Sequence, residues 1–417
     1  MNTTQKQFSL NRRLALSVVM GIACAATLAA ETVTKLPQGV PEAWLAYTPA
    51  QAPPLWSVAL AETLMARHPD LRRAWYQPWN YVEGYVLAAF ERLHKATGDR
   101  RYLDYMKTLV DRFVDGEGRF TGSKLDNLDD FMTGATVVAL YDATRDERYK
   151  TAAAQFRRAF DTYPRTDGQF WHNTGGSVMW IDGVFMGQAF TLRHASSIGD
   201  AAWCFDEAVR QITTCARHSQ KGDTGLYLHA WTDQIAKHKW ADPATGASTD
   251  VWSEGLGWYA LVVADALAVL PKDHGGRAAV EDIFRRMAAG LKRTQDAASG
   301  GWFMIVDKGT EPGNWIDPSG TGMFIYALQR GIELGLLPAA DYGPVVKRAW
   351  TNLQTFARVN DRGLVDIHGG GDGICIKNDY QGYVTHKREV NAKETIGGFL
   401  WAAVSMERGR LEALKKP

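Results

Sequence analysis

An all-α fold, an (α/α)6 barrel of six inner and six outer helices, is predicted by three features of this 417-residue chain. Segments repeat. "ERLHKATGDRRYLDYMKTLVDRF" and "VVALYDATRDERYKTAAAQFRRAF" share Ala-Thr, then Asp, then Arg-Tyr, with Thr97 matching Thr144, and "RHASSIGDAAWCFDEAVRQI" is a looser third copy. A period of this size signals a repeated supersecondary unit. Within each unit the two helices differ in kind. Leu103, Met106, Val110 and Phe113 recur at steps of three and four, as do Tyr149, Ala153, Phe156, Phe160 and Tyr163. Polar residues lie between them, so these helices are one-sided. The helix ahead of each is apolar nearly all round, and such a helix is buried on every side. This buried kind occurs six times.

The elements follow in chain order. "PPLWSVALAETLMARH" supplies an outer helix ahead of the first inner one. Inner helices are expected near 83–96 ("EGYVLAAFERL"), 128–143 ("GATVVALY") and 182–197 ("GVFMGQAF"). Three more follow near 255–270 ("GWYALVVADALAVL"), 320–334 ("GMFIYAL") and 395–406 ("GGFLWAAV"). An outer helix follows each of the first five. Short connections make neighbours antiparallel, and six alternating pairs favour a closed ring over an open solenoid. "GWFMIVD" and "GICIK" are the few strand-like segments. No Pro-, Ser- or Gly-rich linker divides residues 40–417, so a single domain is expected.

A formal net charge of +1 leaves no basic field for nucleic acid and no acidic tail. Residues 1–30, approximately, read as a signal peptide: Arg12 and Arg13 precede "LALSVVMGIACAATLAA", with cleavage near Ala26 or Ala30. Export, to a periplasm in the first instance, is the expectation. The arginine pair only partly matches a twin-arginine signal, and "GIAC" ending at Cys24 is a poor lipoprotein box. No later segment is long and apolar enough to insert the mature chain into a membrane. Cys204, Cys215 and Cys375 are expected as buried thiols, since three cysteines without CxxC spacing make no disulfide framework. Neither HxxxH nor HExxH occurs, so no metal site is indicated.

The loops before the inner helices carry the unusual chemistry: "WNYVEG", "LDNLDDFMTG", "WHNTGGSVMWIDG", "LYLHAW", "STDVWSEGLGW", "GNWIDPSGTG" and "NDYQGYVTHKREVNAKETIGG". In a ring of parallel inner helices they crowd one mouth. Trp or Tyr with an acid and glycines recurs among them, and an aromatic funnel with convergent carboxylates outlines a carbohydrate site. In "SVMWIDGVFMG" Asp182 is the one ionisable group among apolar residues. An N-cap is the plain alternative, but Trp180, Gly183 and Met186 describe an apolar pocket. Among Asp126, Asp129 and Asp130, Asp129 facing Asp182 would push at least one carboxyl pKa upward and hold a protonated acid near neutral pH. His172 and His229, at the same mouth, suit substrate hydroxyls. "DNLDD" resembles the acidic motifs of terpenoid enzymes only superficially.

With "FWHNTGGSVMWIDGVFM", "LYLHAW", "KWADPATG", "VWSEGLGWY", "PGNWIDPSGTGMFIYAL" and "GGFLWA" in this order, the chain resembles glycoside hydrolase family 105, related to family 88, over residues 50–410. The resemblance implies an (α/α)6 barrel that acts on oligosaccharides ending in a 4,5-unsaturated uronic acid, most of all unsaturated rhamnogalacturonan. It implies acid/base hydration of the C4=C5 bond and no metal or organic cofactor. Asp182 matches the general acid/base and Asp129 the second essential carboxylate. His172, Trp180, His229, Trp252 and Trp258 match substrate-pocket positions. Glu254, the remaining candidate for substrate binding, departs from the resemblance, because many members carry Arg two residues after this Trp. Lys239, Arg388 and Lys393 are candidate replacements. The alternatives are another (α/α)6 carbohydrate enzyme, such as a β-glucuronidase or an epimerase, and a non-catalytic sugar-binding protein. The sequence leaves the oligomeric state open.

Overall fold

The computed structural model describes residues 52–71 and 79–415. The expected signal segment lies outside the described residues. The described residues fall within one compact unit, and its helices alternate as the two kinds of sequence pattern require. The six buried ones are α2 (Tyr81–Thr97), α4 (Asp129–Thr144), α6 (Ile181–Ser197), α8 (Ser253–Val269), α10 (Pro318–Glu333) and α13 (Lys393–Glu412). The amphipathic ones are α1 (Trp56–Arg67), α3 (Arg100–Val110), α5 (Glu147–Ala159), α7 (Ala201–Ser219), α9 (Arg277–Thr294) and α11 (Ala339–Gln354). A short α12 (Tyr380–Val384) lies in the last long loop.

Closure is explicit. Inner helices pack in the cycle α2–α4–α6–α8–α10–α13, and α13 returns to α2, which excludes an open solenoid. Outer helix α1, first in sequence, packs on α13, last in sequence, and so completes the outer layer. Glu407 on α13 fixes that junction by accepting from the Trp56 and Ser57 backbone N–H groups at 2.8 and 2.9 Å. Glycine lets inner helices touch backbone to backbone. A Cβ on Gly322 of α10 would stand 2.5 Å from the Gly398 carbonyl of α13, and one on Gly84 of α2 would stand 2.5 Å from the Thr133 Cα of α4.

The middle of the ring is filled by rings from five inner helices. Trp258 lies 4.3 Å from Tyr85 and 5.0 Å from Phe185 between ring centres, and Trp401 lies 5.2 Å from Tyr85 and 4.8 Å from Tyr326. This aromatic plug separates the two ends of the barrel. At the C-terminal ends of the inner helices lies a cavity of about 610 Å3. Its charges satisfy one another: Arg193 pairs with Glu91 at 2.7 Å, and Arg92 with Asp265 at 3.2 Å while its guanidinium lies 3.8 Å over Trp401. The chemistry sits at the other end, where the helices begin.

The strand-like segments turn out differently. "GICIK" is irregular, and in "GWFMIVD" only Phe303 and Ile305 make single bridges, to Ile316 and Trp252. Each is an apolar stretch pinned by mouth loops, with no neighbour long enough for a ladder. Two- and three-residue strand pairs form elsewhere, including Met179–Trp180 against Ala230–Trp231. Cys204 and Cys215 are buried, but Cys375 is exposed, contrary to expectation, because its loop runs over the mouth. Among the described residues no helix is long and apolar enough to cross a membrane.

Candidate active site

Three loops are zipped together to form the mouth around Asp182. The loop entering α4 is bonded to the one entering α6: Leu128 N–H donates to the His172 carbonyl at 2.9 Å, and Thr174 N–H to that of Asp126 at 2.8 Å. Asn127, ahead of the N-cap Leu128, accepts through its side chain from Asp129 N–H at 3.1 Å. The chain then turns back, with His172 N–H donating to the Val178 carbonyl at 2.8 Å, so that His172 and Trp180 lie on facing arms. The Met179–Trp180 strand pairs with Ala230–Trp231, and Ile181 N–H donates to the His229 carbonyl at 2.9 Å. Residues distant in sequence therefore meet: Asp129, His172, Trp180, Asp182 and His229.

Asp182 is the second residue of α6, not its N-cap, which is Trp180. The carboxyl is 8% exposed, and its Oδ1 has no hydrogen-bond partner. Burial pushes its pKa up to about 6. His172 pulls the other way, Asp129 adds to the rise, and the N–H groups of Asp182 and Gly183 at the helix start oppose it. The result is a carboxyl that is a substantial fraction neutral near pH 6, with one oxygen bare.

His172 occupies a place that sequence reasoning did not foresee. Its Nε2 is 3.5 Å from Asp129 Oδ1, and its ring stacks on Trp180 at 4.2 Å. Burial lowers its pKa, but the charge and hydrogen bond of Asp129, with Asp182 behind, carry it above the ordinary histidine value. The expected repulsion of Asp182 by Asp129 is present, and the His172 charge opposes it. Asp130, next to Asp129, is raised to about 7, first by burial and then by its acidic neighbours.

His229 is buried, with Nδ1 2.7 Å from the Tyr383 hydroxyl and Nε2 without a partner. Desolvation, aided by the charges of His172 and Lys377, holds its pKa well below the ordinary value, so the ring is neutral. Trp252 lies 4.3 Å from it between ring centres, and the Trp252 indole N–H also lacks a partner. A buried unpaired donor is costly, and two neighbouring ones suit a polar ligand.

The two remaining candidates lie deeper. Trp258 is 1% exposed and packs in the aromatic plug, about one turn into α8. Glu254 is 3% exposed and accepts from Ser319 Oγ at 2.6 Å. Burial first, then Glu394 and Asp317, raise its pKa well above the glutamate range. It belongs to a buried network in which Tyr81 donates to Glu394, Ser253 to Asp317, and Lys393 pairs with Glu394 at 3.0 Å and with Asp372. Of the cations considered as replacements, Lys393 is engaged there, Arg388 lies over Trp315 at 5.5 Å, and Lys239 is exposed on a turn. Tyr383 and Lys377, which sequence reasoning missed, belong to the mouth. Tyr383 stands inside the mouth segment "NDYQGYVTHKREVNAKETIGG" without being singled out, and Lys377 ends "GICIK", which reads as strand-like.

Residues 56–410 match the family described as Glycosyl Hydrolase Family 88. The chain is 34% identical over 152 residues to Protein Atu3128 of Agrobacterium fabrum, covering 36% of this chain and 63% of that protein. It is 25% identical over 264 residues to the unsaturated rhamnogalacturonyl hydrolase YesR of Bacillus subtilis, covering 61% and 72%. A solved glycoside hydrolase of family 105 from C. acetobutylicum superposes with a TM-score of 0.79 at 28% identity, covering 84% of this chain and 99% of that one. The helical architecture agrees with the structural match. The chain belongs to the family described as Glycosyl Hydrolase Family 88 and is similar in structure to a member of family 105.

Proposed function

We propose that this enzyme removes the terminal 4,5-unsaturated uronic acid from lyase-generated oligosaccharides, with a rhamnose-containing leaving group as in unsaturated rhamnogalacturonan. The observation that carries the reading is the Asp182 carboxyl: buried among apolar side chains, bare at Oδ1, and partly protonated near pH 6. An alkene carbon is a weak base, and protonating it calls for a neutral carboxylic acid held dry against it. The name of YesR, and that of an unsaturated 3S-rhamnoglycuronyl hydrolase of Formosa agariphila that is 24% identical over 293 residues, support the substrate class.

In this mechanism Asp182 gives its proton to C4, and the positive charge develops on C5 and the ring oxygen. Asp182, now a carboxylate, takes a proton from the water that adds at C5. The hemiketal opens to a C5 ketone, and the hemiacetal left at C1 expels the remaining saccharide as an alcohol. One water is consumed, and the acid returns to its starting form. Asp129 and His172 set the charge that Asp182 faces in each half of the cycle. Export through the N-terminal segment is part of the same proposal.

Lyase-generated fragments test it directly. The vinyl-ether ultraviolet absorbance is expected to fall on incubation with the enzyme, and to persist with Asp182→Asn. Unchanged absorbance with every unsaturated uronide would reject the reading. Release of a saturated uronic acid instead would favour a β-glucuronidase.

A further inference from the structure

An unsaturated uronide carries a carboxylate on C5, beside the carbon that water attacks. A site for it needs donors or a cation, yet position 254 holds a buried acid and Lys393 is committed to Asp372 and Glu394. The loop before α12 supplies what is missing. The Lys377 stem packs so closely on Gly382, next to Tyr383, that a Cβ there would stand 2.9 Å from it. Lys377 is thus held against the residue that precedes Tyr383, whose hydroxyl meets His229 Nδ1 at 2.7 Å. The hydroxyl proton needs an acceptor, and the neutral His229 offers Nδ1, which leaves Nε2 carrying the ring proton. Nε2–H of His229 and Nε1–H of Trp252 are both buried and unpartnered. The Lys377 charge is felt by His229, by Cys375 and by His386, and among the described residues Lys377 forms no ion pair.

We propose that Lys377 is the cation that receives the uronate carboxylate, with the His229 and Trp252 N–H groups as its neutral partners. The three are donors only and make a one-sign pocket, which an anion satisfies and a neutral ester does not. Specificity for the uronic acid therefore resides on the 372–379 loop and not at the start of α8. This assignment rests on the function proposed above.

The test compares Lys377→Met and Lys377→Arg with wild type on an unsaturated uronyl disaccharide and on its methyl ester, followed by loss of ultraviolet absorbance. Met retains the stem that packs on Gly382, so folding is preserved. Wild type is expected to prefer the acid, and Lys377→Met to raise KM for the acid about tenfold or more with little change in kcat. The acid-over-ester preference should collapse in Lys377→Met and return in Lys377→Arg. A preference that persists in Lys377→Met overturns the assignment and leaves the function standing. A wild type that turns over neither compound, nor any other unsaturated uronide, overturns both.

Discussion

The imidazole of His172 and the indole of Trp180 stack with ring centres 4.2 Å apart and planes 12° apart, on facing arms of the turn that leads into α6. The stack holds His172 where its charge acts on both Asp129 and Asp182. Its removal has a definite sign. His172 lowers the Asp182 pKa and Asp129 raises it, so His172→Gln leaves the repulsion uncompensated and carries Asp182 above about 6. Turnover requires neutral Asp182, so the alkaline limb of kcat/KM is expected to move to higher pH. The maximum rate falls on the order of 10- to 100-fold. A limb that stays in place or moves to lower pH would show that His172 does not act on Asp182.

Asp182→Asn is expected to separate activity from stability. The native pKa of about 6 exceeds the ordinary aspartate value of 3.8, so the fold favours the neutral form. Stability from this group is complete below the unfolded pKa and is lost as pH rises through about 6. Asn is neutral throughout and escapes that loss. At pH 8 the variant should be more stable than wild type, by on the order of 1–3 kcal/mol, and near pH 4 the two should agree. Turnover should drop about 1000-fold or more. Thermal unfolding at the two pH values decides it, and a variant less stable than wild type at pH 8 would sink the idea.

Glu254 yields a prediction that bears on the apparent departure from the family pattern. Its carboxyl is raised well above the glutamate range, chiefly by burial, and accepts from Ser319. Glu254→Gln keeps an acceptor and is expected to fold normally. Glu254→Arg, the residue that the family resemblance implies here, puts a second cation beside Lys393 at a position only 3% exposed. It is expected to cost several kcal/mol and to lower Tm sharply. Comparable melting of wild type and Glu254→Arg would mean that the network can open.

What was legible in the sequence follows from which features are local. A helix buried on every side must be apolar on every side, so α2, α4, α6, α8, α10 and α13 declared themselves by composition. Their amphipathic partners did so by period. Asp182 was legible because one acid in an apolar run needs a reason. The pairing of Asp129 with His172 was not, because it is made by loop–loop hydrogen bonds between Leu128, Asp126 and the 172–174 segment. The depth of Trp258 was not legible either: its neighbours in sequence are mouth residues, but on a helix it falls one turn inward, among Tyr85 and Phe185. Lys377 lies on an irregular loop where no periodicity says which way a side chain faces.

Cys375 provides a reporter for the mouth. It is the exposed cysteine among the described residues, while burial pushes Cys204 and Cys215 up to about 12. Burial of part of its thiol, followed by the negative field of Asp182, raises the Cys375 pKa above its ordinary value, with Lys377 opposing. The thiolate is the reactive form, so alkylation by iodoacetamide should be slow at neutral pH and should accelerate above pH 9. The adduct would sit beside Lys377, and labelling of this one thiol should abolish turnover of an unsaturated uronide. Cys375→Ser should remain active and become indifferent to the reagent. Bound product should slow the labelling, because it fills the space between the thiol and Asp182. Mass spectrometry of the Cys375 peptide, read against residual activity, decides the matter: full labelling with full activity would place this loop away from the path of the substrate.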